Sequence, residues 1–183
     1  MILTTKDKLK LASTKYECVI NSNNIKFNKL DDWLLKESDI FLKETVKPKN
    51  KTYHQFRRGQ IIKIDFGINI GSELSYTHYA IVLNNYDNIM NDSLLVVPIT
   101  SKNGCNRVHL GKLLLLAHPN TKKYNLNCYA NMTQIKTISK SRIFNDNKTF
   151  ICSSDILDNI DIMMKDLFTK PIWRRIDNVI VTW

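Results

Sequence analysis

Between Arg58 and Lys102 the chain changes its period. Gln60-Ile61-Ile62-Lys63-Ile64-Asp65-Phe66, Tyr79-Ala80-Ile81-Val82-Leu83-Asn84 and Val96-Val97-Pro98-Ile99 are short β-type runs, separated by turns that carry Gly67, Gly71 and Asn85. Runs of this length cannot be helices of ordinary size, and the flanking Gly and Asn residues mark turns. The polar residues that break the pattern, Ser72, Glu73, His78 and Thr100-Ser101-Lys102, fall at strand ends or in loops, where chemistry usually sits on a rigid sheet.

Strands are expected over 60–66, 79–84, 93–99, 107–110, 126–133 and 149–152. Ser153-Ser154-Asp155 is a cap signal, and Ile156, Leu157, Ile160, Met163, Met164, Leu167 and Phe168 then recur at helical spacing, an apolar stripe that reads as core. Pro171 should stop that helix, leaving Trp173 to Trp183 as a tail. Several short strands followed by one helix give an α+β protein: a small, strongly curled sheet of the SH3-like or barrel class closed by a C-terminal helix.

Ahead of the sheet the pattern is helical. Thr4 or Thr5 can cap a helix from about Lys6 to Ile20, and Asn21 to Asn24 form a turn. Leu30 to Leu42 is a second helix, with Leu30, Trp33, Leu34, Ile40 and Phe41 broadly on one face and Asp31 and Asp32 at its positive end. That face is too small to fold alone and must cover something, for which packing on the body of the protein is the favoured answer. Lys47-Pro48-Lys49-Asn50-Lys51 reads as an exposed linker. The chain therefore divides into a helical N-terminal extension, 1–54, and a sheet domain, 55–183.

Composition narrows the partners. The formal charge is +10 and the pI about 9.4, which favours polyanions through counterion release, although a merely soluble basic protein has the same balance. Lys6 and Asp7 stand where a signal peptide needs an apolar run, and no window approaches about 18 consecutive apolar residues. The cysteines Cys18, Cys105, Cys128 and Cys152 form no CxxC pair. These features point to a cytoplasmic protein with free thiols, no membrane segment and no evident metal site or cofactor.

The segments Gly71-Ser72-Glu73, Pro98-Ile99-Thr100-Ser101-Lys102 and Tyr129-Ala130-Asn131-Met132-Thr133-Gln134-Ile135-Lys136-Thr137, with Arg142-Ile143 after a polar turn, resemble the MazF/PemK family of toxin endoribonucleases. The resemblance begins near residue 55. It implies a bent antiparallel sheet, a homodimer, an antitoxin partner (a protein ranked before an RNA), and metal-independent cutting of single-stranded RNA. In that reaction the substrate's 2′-OH attacks its own phosphate and leaves 2′,3′-cyclic phosphate and 5′-OH ends. Thr100 matches one catalytic position. The other is an Arg five residues after Gly-Ser-Glu in the family, and here it is His78, followed by Tyr79 in place of Pro. A His can move a proton near neutral pH but cannot supply a permanent bidentate fork to phosphate. Lys102, Arg107 and Lys136 are the candidate substitutes for that charge. The RNA contacts implied are Ser72, Glu73, Ser101, Lys102, Arg107, Gln134, Lys136 and Arg142, with Lys140 a further donor in the same turn.

Read from the residues alone, His78 is equally a half-buried polar residue at a strand start, Thr100 a strand-end cap, and Lys140 and Arg142 a solvated turn. His54, His109 and His118 read as structural or surface residues. Other functions of the same fold stay open: a nucleic-acid binder with weakened catalysis, a ToxN/AbiQ-like phage-defence ribonuclease paired with an RNA, or a protein-directed toxin like CcdB.

Overall fold

The computed structural model describes residues 3–46, 51–112, 127–144 and 150–169. Residues 47–50, His118, Pro171 and the tail from Trp173 lie outside the described residues.

The described residues form three α-helices and seven strands: α1 (Thr5–Ile20), α2 (Leu30–Thr45), β1 (Gln60–Asp65), β2 (Thr77–Val82), β3 (Ser93–Thr100), β4 (Arg107–Lys112), β5 (Asn127–Asn131), β6 (Lys136–Ser139), β7 (Phe150–Ile151) and α3 (Ser154–Thr169). Every strand pairing is antiparallel. The main path of the sheet runs β4-β5-β3-β2-β1-β7, and β6 also pairs with β3. The segment expected to be one strand through residue 133 is instead β5, a 3₁₀ turn over Met132–Gln134, and the separate strand β6.

Two cores lie on opposite faces. Ile61, Ile81, Val97, Ile99, Val108, Leu110, Cys128 and Ala130 meet α3, whose Ile160 is fully buried between them. Ile62, Ile64, Ala80, Val82, Leu94, Val96 and Ile138 fill the other side with Phe56 and Phe66. After β6 a 3₁₀ turn over Lys140–Arg142 brings the chain back to β1, where Ile143 bridges Ile64. The strands β1, β2, β3 and β6 thus close around the second core as a small half-barrel. Burial on both faces explains why the strands are near-continuous apolar runs rather than clean alternations.

The turn that closes this half-barrel is held by a buried ion pair. Lys140 Nζ donates to both carboxylate oxygens of Asp87, at 2.8 and 2.7 Å, and to the Asn88 carbonyl at 3.2 Å, with side chains only 2% and 0% exposed. Asp87 also accepts from the Phe56 N–H at 2.9 Å. Lys140 is therefore no phosphate donor, and Asp87 is more than a turn residue. Burial works against the Asp87 carboxylate, but the Lys140 ammonium, the Phe56 amide and Asn91 outweigh it, so its pKa lies below the ordinary value.

Helix α1 is capped by Thr4, whose hydroxyl accepts from the Asp7 N–H, and it buries no side chain. Helix α2 packs on the body through Leu30 and Trp33. Phe41 is 59% exposed and takes no part in that contact. The Trp33 ring lies directly on Gly67, which has φ +79°. The Arg142 guanidinium sits 5.1 Å from the centre of the same indole, donates to the Phe66 carbonyl at 3.2 Å and reaches Glu37 of α2 at 3.4 Å. Lys36 of α2 pairs with Asp65 at the end of β1.

Two stability tests follow from these contacts. Gly67→Ala places a methyl group inside the Trp33 ring and forces a left-handed residue, and should cost about 2–4 kcal/mol. Gly71→Ala has φ +59° but open space around it, and should cost only about 1–2 kcal/mol. Urea unfolding of both variants separates the two; equal losses would mean that α2 does not press on Gly67. Lys140→Ala leaves a buried carboxylate unpaired and should cost about 3–5 kcal/mol. Because the folded pKa of Asp87 is depressed, its contribution is present above the ordinary carboxylate value of 3.8 and is lost as the pH falls through the folded value. Acid unfolding below pH 3.8 that is unchanged in Asp87→Asn would refute this.

Candidate functional site

The C-terminal end of β1, the N-terminal end of β2 and the C-terminal end of β3 lie together at one end of the sheet. Ile64 pairs with His78, and Ala80 pairs with Pro98. Extending the second register by two residues sets His78 opposite Thr100. Both fall on the sheet face that carries Ala80 and Val96, at the open end of the half-barrel.

His78 is half-buried, with Phe66 beside it at a ring separation of 6.3 Å. Its Nε2 lies 3.0 Å from the Ser75 carbonyl. A carbonyl only accepts, so Nε2 carries the proton and Nδ1 the lone pair when the ring is neutral. Burial lowers the His78 pKa below the ordinary 6.5, against a smaller opposing effect of the Ser75 carbonyl. The ring is therefore neutral at pH 7. The Thr100 hydroxyl accepts from the Lys102 N–H at 3.2 Å, which leaves its own hydrogen to donate.

Two loops flank this pair. The β1–β2 loop, residues 66–76, carries Ser72 and Glu73, both exposed. Few backbone bonds join it internally, and side chains satisfy much of the rest of its backbone. Asn69 donates to the Phe66 and Leu74 carbonyls at 2.9 and 2.6 Å, and the Asn69 N–H donates to the Ser75 hydroxyl at 2.9 Å. Gln134 clamps the loop from the body: its Oε1 accepts from the Leu74 N–H at 3.1 Å and its Nε2 donates to the Ser72 carbonyl at 3.4 Å. The β3–β4 loop, residues 101–106, carries Ser101 and Lys102, both exposed. Arg107 closes it by donating from Nη1 to the Lys102 carbonyl at 2.9 Å. The 3₁₀ turn that presents Gln134 is tied to this second loop as well, through the Met132 N–H and the Asn106 carbonyl at 3.1 Å.

Eight of the ten residues singled out from the sequence thus gather at one end of the sheet: Ser72, Glu73, His78, Thr100, Ser101, Lys102, Arg107 and Gln134. Lys136 lies further along the β3 edge, paired with Val96. Arg142 is drawn under α2 and Trp33. Sequence reasoning missed Ser75, Asn69 and Asn106. Asn69 and Ser75 bond within their own loop, the Ser75 carbonyl meets His78, and the Asn106 carbonyl accepts from Met132, contacts that leave no mark in residue type beyond the polar character of any turn.

Among the described residues, no group of three or more His, Cys, Asp or Glu side chains is placed to hold a metal ion. None of their helices is long and apolar enough to cross a membrane. None of the four cysteines is in a disulfide, and burial pushes the Cys152 thiol up to about 11.

No curated protein matches the chain. Among solved structures, MazF from Deinococcus radiodurans is 14% identical, with a TM-score of 0.46 over 63% of this chain and 97% of that one. An endoribonuclease bound to its cognate antitoxin from a mycobacterial species is 16% identical, with a TM-score of 0.45 over 63% and 97%. The MazE–MazF complex from Deinococcus radiodurans is 14% identical, with a TM-score of 0.41 over 65% and 100%. The family model for the PemK-like, MazF-like toxin of type II toxin-antitoxin systems matches residues 57–168, which is more than half of the chain. From β1 through α3, including both flanking loops, the chain belongs to the PemK/MazF toxin family.

Proposed function

We propose that this chain is a metal-independent endoribonuclease toxin that cuts single-stranded RNA, mRNA above all, and is held in check by a protein antitoxin. Residues 55–183 form the ribonuclease domain and residues 1–54 a helical extension. The active form is a cytoplasmic homodimer. The observation that carries the reading is that the start of β2, with His78, and the end of β3, with Thr100, fall at one end of the sheet beside two polar loops.

In this reading His78 Nδ1 takes the proton of the 2′-OH. The O2′–P bond forms, the P–O5′ bond breaks, and the leaving O5′ takes a proton from water. The Thr100 hydroxyl donates to a phosphate oxygen, and Lys102 and Arg107 supply the positive charge that His78 lacks. Ser72, Glu73, Ser101 and Gln134 face the bases, Lys136 meets the strand further along, and Arg142 acts only indirectly by holding α2. DNA has no 2′-OH and is not cut.

Purified protein incubated with a long mixed RNA in EDTA should give fragments with 2′,3′-cyclic phosphate ends. Cleavage lost in EDTA and restored by Mg²⁺ would overturn the mechanism. His78→Ala and Thr100→Ala should each lower the rate by about 10²-fold without unfolding the protein. Because the base must be neutral and its pKa is lowered, the rate should hold at pH 7 and fall only as the pH drops below the ordinary 6.5.

One observation favours a second reading, a nucleic-acid binder with weakened catalysis. The position of the family's Arg is filled by a ring that is neutral at pH 7 and whose Nε2 is spent on a backbone carbonyl. His78→Arg decides between the two. A variant more active than the natural chain means that His78 is a weakened substitute; a nearly inactive one means that it is the working base.

A further inference from the structure

The N-terminal segment lies outside the matched family region, yet it touches the β1–β2 loop at three points. The Trp33 ring rests on Gly67. Lys26 Nζ donates to the Gly71 carbonyl. The Tyr76 phenol donates to the Lys26 carbonyl at 2.6 Å, with the Ile25 carbonyl at 3.2 Å as a second acceptor. Gln134 holds the same loop from the opposite side.

Tyr76 has φ +72°. A bulky residue in the left-handed region is strained and persists only where its surroundings fix it. Here the Tyr76 N–H donates to the Gly67 carbonyl at 2.6 Å, its carbonyl accepts from the Phe66 N–H at 3.0 Å, and its phenol is tied to the N-terminal segment. The consequence reaches His78 through one planar unit. The Tyr76 N–H and the Ser75 C=O belong to the same peptide plane and point in opposite directions. The N–H side is fixed on Gly67, beneath Trp33. The C=O side meets His78 Nε2 at 3.0 Å. Rotating Tyr76 about φ would swing the Ser75 carbonyl away from the imidazole.

We infer that the segment from Ile25 to Lys36 is a positioning part of the active site: through Trp33, Lys26 and Tyr76 it fixes the peptide plane that orients His78. The inference rests on the proposed role of His78 as the proton acceptor. It assigns the N-terminal extension a function in the reaction itself rather than in docking or in covering the groove.

The test uses the full chain with Tyr76→Phe, which removes one hydroxyl and keeps the ring, and separately with Lys26→Met. Three quantities are read: amide exchange across residues 66–78, kcat and KM on RNA, and the ¹⁵N shift of His78 Nε2. Exchange in the loop should rise about tenfold in each variant while β3 and α3 stay unchanged. The kcat should fall about tenfold with KM altered less than about twofold, and the Nε2 shift should move. Unchanged loop exchange overturns the inference. So does a loosened loop with an unaltered kcat, which would make these contacts purely structural. A rise in kcat overturns it too, and would make the segment a cover. If the natural chain cuts no RNA, the ribonuclease reading fails separately. The ¹⁵N shift then decides alone: movement in Tyr76→Phe supports the positioning, and an unmoved shift refutes it.

Discussion

Strand β3 has two edges and three partners. One edge pairs with β2; the other is shared, with β6 along Ser93–Val96 and β5 along Ile99–Thr100. β6 and β5 follow one another along that edge in different registers, with a gap and a bend in the sheet between them. Pro98 marks the place. The Leu83 N–H donates to the Leu95 carbonyl at 2.9 Å, so Leu95 and, by alternation, Val97 and Ile99 turn their backbone groups toward β2. Pro98 then faces the shared edge, in the gap after the last β6 pair and before the first β5 pair. A proline has no N–H, and in a central strand that would cost a ladder bond. Here no partner stands opposite to ask for one.

The bend makes both the cores and the site. Below it, β6 curls back toward β1 and closes the half-barrel, with Lys140 and Asp87 locking the turn. Above it, β5 diverges with β4, and α3 fills the opening on the far face through Ile160. The end of β3 lies where the two halves part, and Thr100 stands there, paired with Tyr129 of β5. The Met132–Gln134 turn spans the split from β5 to β6. For that reason one glutamine can reach the β1–β2 loop while its own turn is tied to the β3–β4 loop.

Much of this could be read from the sequence, and what could not has a common cause. The runs at 60–66, 79–84 and 93–99, the stripe through Ile160 and the cap at Thr4 are local signals, and the structure has strands or a helix at each. The break between β5 and β6 was hidden because Met132-Thr133-Gln134 contains neither Gly nor Pro. Lys140 and Arg142 looked like one solvated basic turn. Their partners, Asp87, Trp33 and Glu37, lie far away in sequence, and only the closed half-barrel brings them near. The same limit applies at the site. The spacing from Gly71-Ser72-Glu73 pointed to His78, but the Ser75 carbonyl that orients the ring belongs to a backbone whose conformation depends on Tyr76 and on residues of the N-terminal extension.

The proposed reading, in which His78 stands where the resemblance puts an Arg, has a physical counterpart in how charge is distributed around that end of the sheet. A guanidinium at that position would have to be buried beside Phe66 with a single carbonyl for company, a costly place for a permanent charge. A neutral imidazole fits it, and burial keeps the ring neutral. Positive charge sits across the site instead, at the β3–β4 loop, where Lys102 is exposed and Arg107 bonds the Lys102 carbonyl. Proton transfer and phosphate neutralisation, which one Arg can combine, are in the proposed mechanism divided between β2 and that loop. In that mechanism the division makes the distance between the two loops matter to the reaction, and the side chains that hold the β1–β2 loop, Gln134 from the body and Lys26 and Trp33 from the extension, do not touch the phosphate at all.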